Sequence, residues 1–280
     1  MTPPTSRTTV NTTIGVGQFP AAPGDVEANL GVLLEQLESA GGAELDLMCF
    51  PELCLPGYLL AAADYTDSLR QDLLRAEQTI QRAAAAAGVR IVYGTARWEN
   101  AGLRNCVVVA EPQATTTTYS KVHLADSERA VFDAGDELVL TEDGGTGLGC
   151  CYDLAFAGFS RRLVEAGARV LCFPMAWERE RAFVFEAVGA ARAVENVAYV
   201  VCANQVGQVG ALDFHGGSRV VDPLGQTLCH LGKTVGVAVV DLDLQWVDRL
   251  RSAPAGDTFA FASDRRDVSV RAPAATAGRP

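Results

Sequence analysis

Apolar residues recur along this chain in two rhythms that replace each other every few residues, one of period two and one of period 3.6. Thr13 to Gln18 reads as a strand, and from Asp25 to Ser39 the residues Leu30, Leu33, Leu34 and Leu37 share one helical face. Leu47 to Phe50 is a short buried strand that runs directly into Pro51 and Glu52. Leu69, Leu73, Ala76, Ile80, Ala83, Ala84 and Ala87 then recur at helical spacing, with Gly88 placed to cap the end. Three strand-like runs follow at Ile91 to Ala96, Asn105 to Ala110 and Thr115 to Ser120, the last built from β-branched threonines.

The same alternation continues in the second half. Leu148 to Cys151 is a short apolar run behind Gly144, Gly145 and Gly147, and a helical stretch from Phe159 to Ala166 follows it. Strands are expected at Val170 to Phe173, Val197 to Ala203, Ser218 to Val221, Thr227 to His230 and Val235 to Val240, with helices at Arg181 to Asn196 and Asp241 to Arg251. Such alternation predicts one layered α/β domain. Residues 1–12 are rich in Thr and Pro without apolar periodicity and are expected to be flexible. Residues 253–280 are expected to be flexible or to pack on a neighbouring subunit.

Composition narrows the function. With 49% hydrophobic residues among 280, the chain can bury a large core, and its net charge of −11 with scattered Lys and Arg argues against a nucleic-acid partner. No secretory leader and no apolar run of roughly 18 residues is present, so a soluble, cytoplasmic protein with no membrane association is expected. Most of the eight cysteines sit in apolar runs, as in LMCF, NCVVV, VLCFP and VVCAN, and act there as small hydrophobes. Their spacing matches no zinc site, and with only three histidines no metal is expected.

Polar residues interrupt apolar structure at three places. Glu52, in FPELCLPGY, is either a desolvated proton acceptor or a loop cap. Lys121 and His123, in YSKVHL, close a strand. The lysine is either a cation for a developing oxyanion or an ordinary surface charge, and the histidine a base or a structural hydrogen-bonding group. Cys150 and Cys151, in GCCYD, stand at a strand-to-helix turn, where a thiol needs a base and a cation to become a thiolate near neutral pH. Adjacent strand residues point to opposite faces, so only one of the two thiols can enter a site, and Cys151 is the one expected.

The order of Pro51-Glu52, Tyr119-Ser120-Lys121-Val122-His123-Leu124 and Cys151-Tyr152-Asp153 resembles the nitrilase superfamily of carbon-nitrogen hydrolases, over residues 13–252. The resemblance implies a four-layer αββα sandwich with Glu52, Lys121 and Cys151 as base, cation and nucleophile. It further implies that Glu128 holds a substrate NH₂, that the backbone amide of Tyr152 helps hold the oxyanion, and that Phe173 to Trp177 lines the pocket. Arg192, Glu195 and Asn196 are expected to be scaffold, and Cys150 a buried spectator where family members carry an aliphatic residue. Phe156-Ala157-Gly158 departs from the family's Phe-Pro-Glu and is expected to reshape the turn after the nucleophile.

The reaction so implied is hydrolysis of a small-molecule amide to acid and ammonia through a thioester, without metal or organic cofactor. An N-carbamoyl amine ranks next as substrate, followed by a nitrile, and a catalytically idle binding relative is the remaining alternative. Homodimers or larger homo-oligomers are implied, formed through the face that bears the helix after the nucleophile. Glu52 and Lys121 are expected to serve chemistry more than folding.

Overall fold

A computed structural model describes residues 11–41, 45–99, 102–113 and 115–253. The first half contains β1 (Asn11–Gln18), α1 (Val26–Ser39), β2 (Leu47–Cys49), α2 (Asp67–Ala87), β3 (Arg90–Glu99), β4 (Gly102–Ala110) and β5 (Thr116–Ser120). The second contains β6 (Val139–Leu140), β7 (Thr146–Leu148), α3 (Ala157–Glu165), β8 (Val170–Met175), α4 (Ala182–Asn196) and β9 (Tyr199–Asn204). After these come β10 (Val206–Val209), β11 (Leu212–His215), β12 (Arg219–Val221), β13 (Thr227–His230), β14 (Gly236–Asp243) and α5 (Leu244–Arg251). Local chemistry fixes the helix ends. The side chain of Asp25 accepts from Ala28 N at 3.0 Å to open α1, Thr66 accepts from Leu69 N at 3.2 Å to open α2, and Gly88 closes α2 at φ 70°.

Two six-stranded sheets form, in the orders β14-β1-β2-β3-β4-β5 and β13-β12-β9-β8-β7-β6. Each has a parallel centre, β1-β2-β3 in one and β7-β8-β9 in the other, extended by antiparallel strands. The period-two pattern decides which way each residue faces. Ile14, Val16, Leu47, Cys49, Val92, Val107 and Val109 join the core that also holds Leu148, Cys150, Cys172 and Val201 of the other sheet. Their neighbours Met48, Phe50, Ile91, Tyr93, Cys106 and Val108 turn the other way, onto Leu33 and Leu37 of α1 and Leu69, Leu73 and Ile80 of α2. With α3 and α4 on the outer side of the second sheet, this is the four-layer αββα sandwich.

Some boundaries differ from the sequence reading. Leu148 to Cys151 is not a continuous strand, because β7 stops at Leu148 and a 3-10 turn begins at Cys151. The two-residue β6 and the hairpin β10-β11 have too few residues to show a period. Asn11 and Thr12 belong to β1, paired with Asp243 and Leu242 of β14. The expectations for residues 1–10 and 254–280 lie outside the described residues. Among the described residues, no helix is long and apolar enough to cross a membrane.

The carboxyl ends of β2, β7, β8 and β9 open at one end of the sandwich, where α/β sheets place their ligands. Double reversal through β3-β4 and β4-β5 brings the end of β5 to the same side. Gly94 of β3 lets the segment after β2 lie against the sheet: Gly94 N donates to Pro51 O at 3.1 Å, and Leu55 N donates to Gly94 O at 3.3 Å. A methyl group at Gly94 would overlap Leu53 N, Glu52 Cα and Pro51 O, all backbone atoms. Gly94→Ala is therefore expected to cost about 1–3 kcal/mol in a denaturant melt and to displace Glu52, lowering any activity that depends on it.

Candidate active site

Glu52 leaves β2 on a segment held at several points. Glu52 N donates to Met175 O at 3.2 Å, and Gln205 Nε2 donates to Glu52 O at 2.9 Å. Lys121 follows β5, its N–H donating to Asn105 O at 2.9 Å. Glu128 lies in the loop beyond. These three side chains are 0%, 1% and 0% exposed, and they meet: Lys121 Nζ donates to Glu52 Oε1 at 2.7 Å and to both oxygens of Glu128 at 2.8 Å.

One buried ammonium thus faces two buried carboxylates. Burial raises the Glu52 carboxyl, but the Lys121 charge, hydrogen bonds from Lys121 and Asn105, and the nearby Cys151 thiol outweigh it and hold the group below its usual value. Glu128 is raised, by its own burial and then by the charge of Glu52. Burial opposes the charge on Lys121, yet Glu52, Cys150 and Glu128 keep the ammonium well above its usual value. Neighbouring carboxyls pushed apart in this way suit different roles.

Sequence reasoning missed Asn105. It is fully buried in β4, and its Nδ2 donates to Glu52 Oε1 at 2.7 Å and to Glu128 Oε1 at 3.0 Å. The one signal was an amide at the head of the apolar run NCVVV. Glu128 also accepts from Tyr58 OH at 3.0 Å and from Ala125 N at 2.7 Å. With these, every acceptor site of the Glu128 carboxylate is filled.

Cys151 opens the 3-10 turn after β7 with φ 43°, a left-handed backbone that a non-glycine residue adopts only when its surroundings impose it. Cys150 before it is extended, at φ −137° and ψ 117°. The two thiols separate because of this change of backbone, not by strand alternation as the sequence suggested. Burial and the charge of Glu52 push the Cys151 thiol up, against the pull of Lys121 and of the Ala176 backbone, so the resting proton sits on sulfur. Cys150 is fully buried, and beyond packing in the core its Sγ donates to Glu52 Oε1 at 3.3 Å.

Asp153 ties the Cys151 turn to the Lys121 segment. It accepts from Cys150 N at 2.9 Å, Tyr119 OH at 2.6 Å, His123 N at 2.9 Å and, at 2.7 Å, pairs with His123 Nδ1. His123 stacks on Phe156 with ring centroids 3.7 Å apart, which gives it a structural part. Arg192 acts as scaffold, donating to Leu154 O at 3.0 Å and Ala155 O at 2.8 Å and so binding α4 to the same turn.

Cys151 and Lys121 line a cleft of about 560 Å³ together with Tyr58, Tyr152, Phe156 and Trp177. Exposed Asp126, Arg129, Glu178 and Arg181 surround its mouth. Trp177 is fixed by N–H donation to Asn204 Oδ1 at 2.7 Å and from its Nε1 to Arg181 O at 3.0 Å. Ala157 and Gly158 start α3, are exposed, and do not line the cleft. Glu128 lies behind Lys121, outside the cleft lining. Among the described residues, no group of three or more His, Cys, Asp or Glu is arranged to hold a metal ion.

The ion cluster changes one expectation. Because Lys121 compensates two buried carboxylates, its removal must affect folding as well as chemistry. Lys121→Met is expected to lower unfolding free energy near neutral pH by about 3–5 kcal/mol. Without the ammonium both carboxyls bind protons more tightly folded than unfolded, so the deficit should shrink as pH falls. Denaturant titrations of the variant and the parent at two pH values measure both effects.

A profile of the family described as Carbon-nitrogen hydrolase matches residues 13–252. An (R)-stereoselective amidase from Pseudomonas sp is 33% identical over 254 residues, covering 89% of each chain. A 2-oxoglutaramate amidase from Bacillus subtilis is 31% identical over 206 residues, 71% of this chain and 79% of that one. A solved variant of the amidase from Nesterenkonia sp. AN1, showing covalent addition of the acetamide moiety of fluoroacetamide at the active-site cysteine, superposes with a TM-score of 0.79 at 27% identity. The match covers 91% of this chain and 94% of that one. With this fold and these matches, the chain belongs to the carbon-nitrogen hydrolase family of the nitrilase superfamily and is a hydrolase acting on carbon-nitrogen bonds.

Proposed function

We propose that this protein hydrolyses a small-molecule primary amide to a carboxylic acid and ammonia through a Cys151 thioester. The observation that carries the reading is the meeting, at one cleft, of a thiol on a strained turn and a buried ammonium that is itself bonded to the buried Glu52 carboxylate. Glu52 takes the proton from Cys151 Sγ, and the sulfur, keeping the electron pair, bonds to the amide carbon. The carbonyl oxygen becomes an oxyanion facing Lys121 Nζ and the Tyr152 backbone N–H, a donor that the start of a helical turn leaves without a partner inside the turn. Glu52 then gives its proton to the amide nitrogen, the C–N bond breaks and ammonia departs. A water deprotonated by Glu52 attacks the thioester, the C–S bond breaks to release the acid, and the departing sulfur takes the proton back from Glu52 to restore the thiol.

Glu128 is given a different part from the one its motif suggested. Its acceptors are filled by Lys121, Asn105, Tyr58 and Ala125, so it orients the ammonium and has no oxygen free for a substrate NH₂. The preference for an amide then rests on the similarity to three amidases, one of them carrying an acetamide moiety on its cysteine. Tyr58, Ala176 and Trp177 offer an apolar wall to a small acyl group. Unpaired thiols at all eight cysteines suit a reducing cytoplasm. Pairing of two or more copies belongs to the same reading, because Phe183 of α4 is 83% exposed beside the half-exposed Val184 at the cleft.

Matched amide, nitrile and N-carbamoyl forms of several small aliphatic acids are expected to release ammonia fastest as amides. Consumption of the nitriles alone would overturn the amide reading. Cys151→Ala is expected to abolish release, whereas Cys150→Ala does not. Sedimentation velocity of the purified protein should give at least twice the monomer mass, and Phe183→Glu should lower it.

A further inference from the structure

The two oxygens of Glu52 are treated unequally. Oε1 accepts from Lys121 Nζ at 2.7 Å, Asn105 Nδ2 at 2.7 Å and Cys150 Sγ at 3.3 Å, which more than fills its lone pairs. Oε2 is buried and has no hydrogen-bond partner. A buried carboxylate oxygen left open is costly and rare, so it asks for a reason. We propose that Cys150 and Asn105 are positioning residues which, with Lys121, occupy Oε1 of Glu52 and leave Oε2 as the single atom that takes the proton from Cys151. This rests on the assignment of Cys151 as nucleophile and Glu52 as base.

The backbone makes the division possible. Cys150 is held extended, its N–H bonded to Asp153, while Cys151 is turned left-handed, so consecutive thiols reach the site differently. Cys150 Sγ lies 3.8 Å from Asn105 Oδ1 but closer to Glu52, and its one hydrogen goes to the carboxylate. Asn105 holds the Lys121 backbone N–H through its main-chain carbonyl and both glutamates through its side-chain amide, so the side chain sets the spacing of the two carboxyls and the backbone that of the cation. In the transfer the S–H bond of Cys151 breaks, an O–H bond forms on Oε2, and the sulfur keeps the electron pair. The charged or titratable groups facing Glu52 are Lys121, Glu128, Tyr58, Cys150 and Cys151.

A donor on Oε1 favours the charged carboxylate, so its loss makes Glu52 bind a proton at higher pH. The test is the rate of Cys151 alkylation by iodoacetamide across about pH 5 to 9, located by tandem mass spectrometry, which needs no substrate. Cys150→Ala is expected to move the acidic limb up by about half a pH unit, and Asn105→Ala by about one. Cys150→Ser, which keeps a hydrogen donor, should hold the limb of the parent protein. An unmoved limb in Cys150→Ala, or an equal shift in the serine and alanine variants, would overturn the assignment of Oε2. A parent protein that releases ammonia without ever being alkylated at Cys151 would instead remove the nucleophile reading, and this inference with it.

Discussion

The ammonium of Lys121, set between the carboxylates of Glu52 and Glu128 inside the sandwich, is the interaction on which the rest of this structure depends. Neither carboxylate could stay charged at that depth without it, because burial alone raises both groups. The cluster reaches across the fold to set its geometry: Glu52 comes from the end of β2, Lys121 from the end of β5, and Asn105 from β4 between them. Where the charges meet, three strands must agree in length and register.

Strain and hydrogen bonding divide the work of holding the reactive groups. Two of the three non-glycine residues with left-handed backbone, among the described residues, stand at the site: Leu53 directly after Glu52 and Cys151 itself. Each is kept there by neighbours that fix the chain on both sides, Gly94 and Gln205 for the first, Asp153 and Arg192 for the second. Asp153 matters because it joins the Cys151 turn to the Lys121 segment through three contacts, so the second sheet cannot shift against the first without breaking them.

The electrostatic asymmetry of the carboxylates follows from the same packing. Glu52 receives more stabilisation of its charge than burial removes, while Glu128, sharing the same ammonium, does not. The pair therefore keeps one carboxyl ionised near a protonated thiol, with the ammonium beside both, the arrangement that the proposed reaction needs. Such preorganisation costs little at the moment of reaction because it has been built during folding.

The sequence by itself determined the layers and singled out the residues proposed to react. Alternation at Ile14 and Val16, and helical spacing from Leu69 to Ala87, are local patterns, and each sends its element to a definite side of the sandwich. Glu52, Lys121 and Cys151 were legible because each stands in a short motif of its own. The contacts that give them roles were not local. Asn105 lies 53 residues from Glu52, Cys150 lies 98 residues from it, and Tyr119 meets Asp153 across 34. Sequence pattern tells what a residue is next to in the chain, and not that Cys150 reaches Glu52 or that Lys121, Asn105, Tyr58 and Ala125 meet at Glu128. Only the tertiary structure, by bringing β2, β4, β5 and β7 to one end of the two sheets, decided that one oxygen of Glu52 is taken and the other left open.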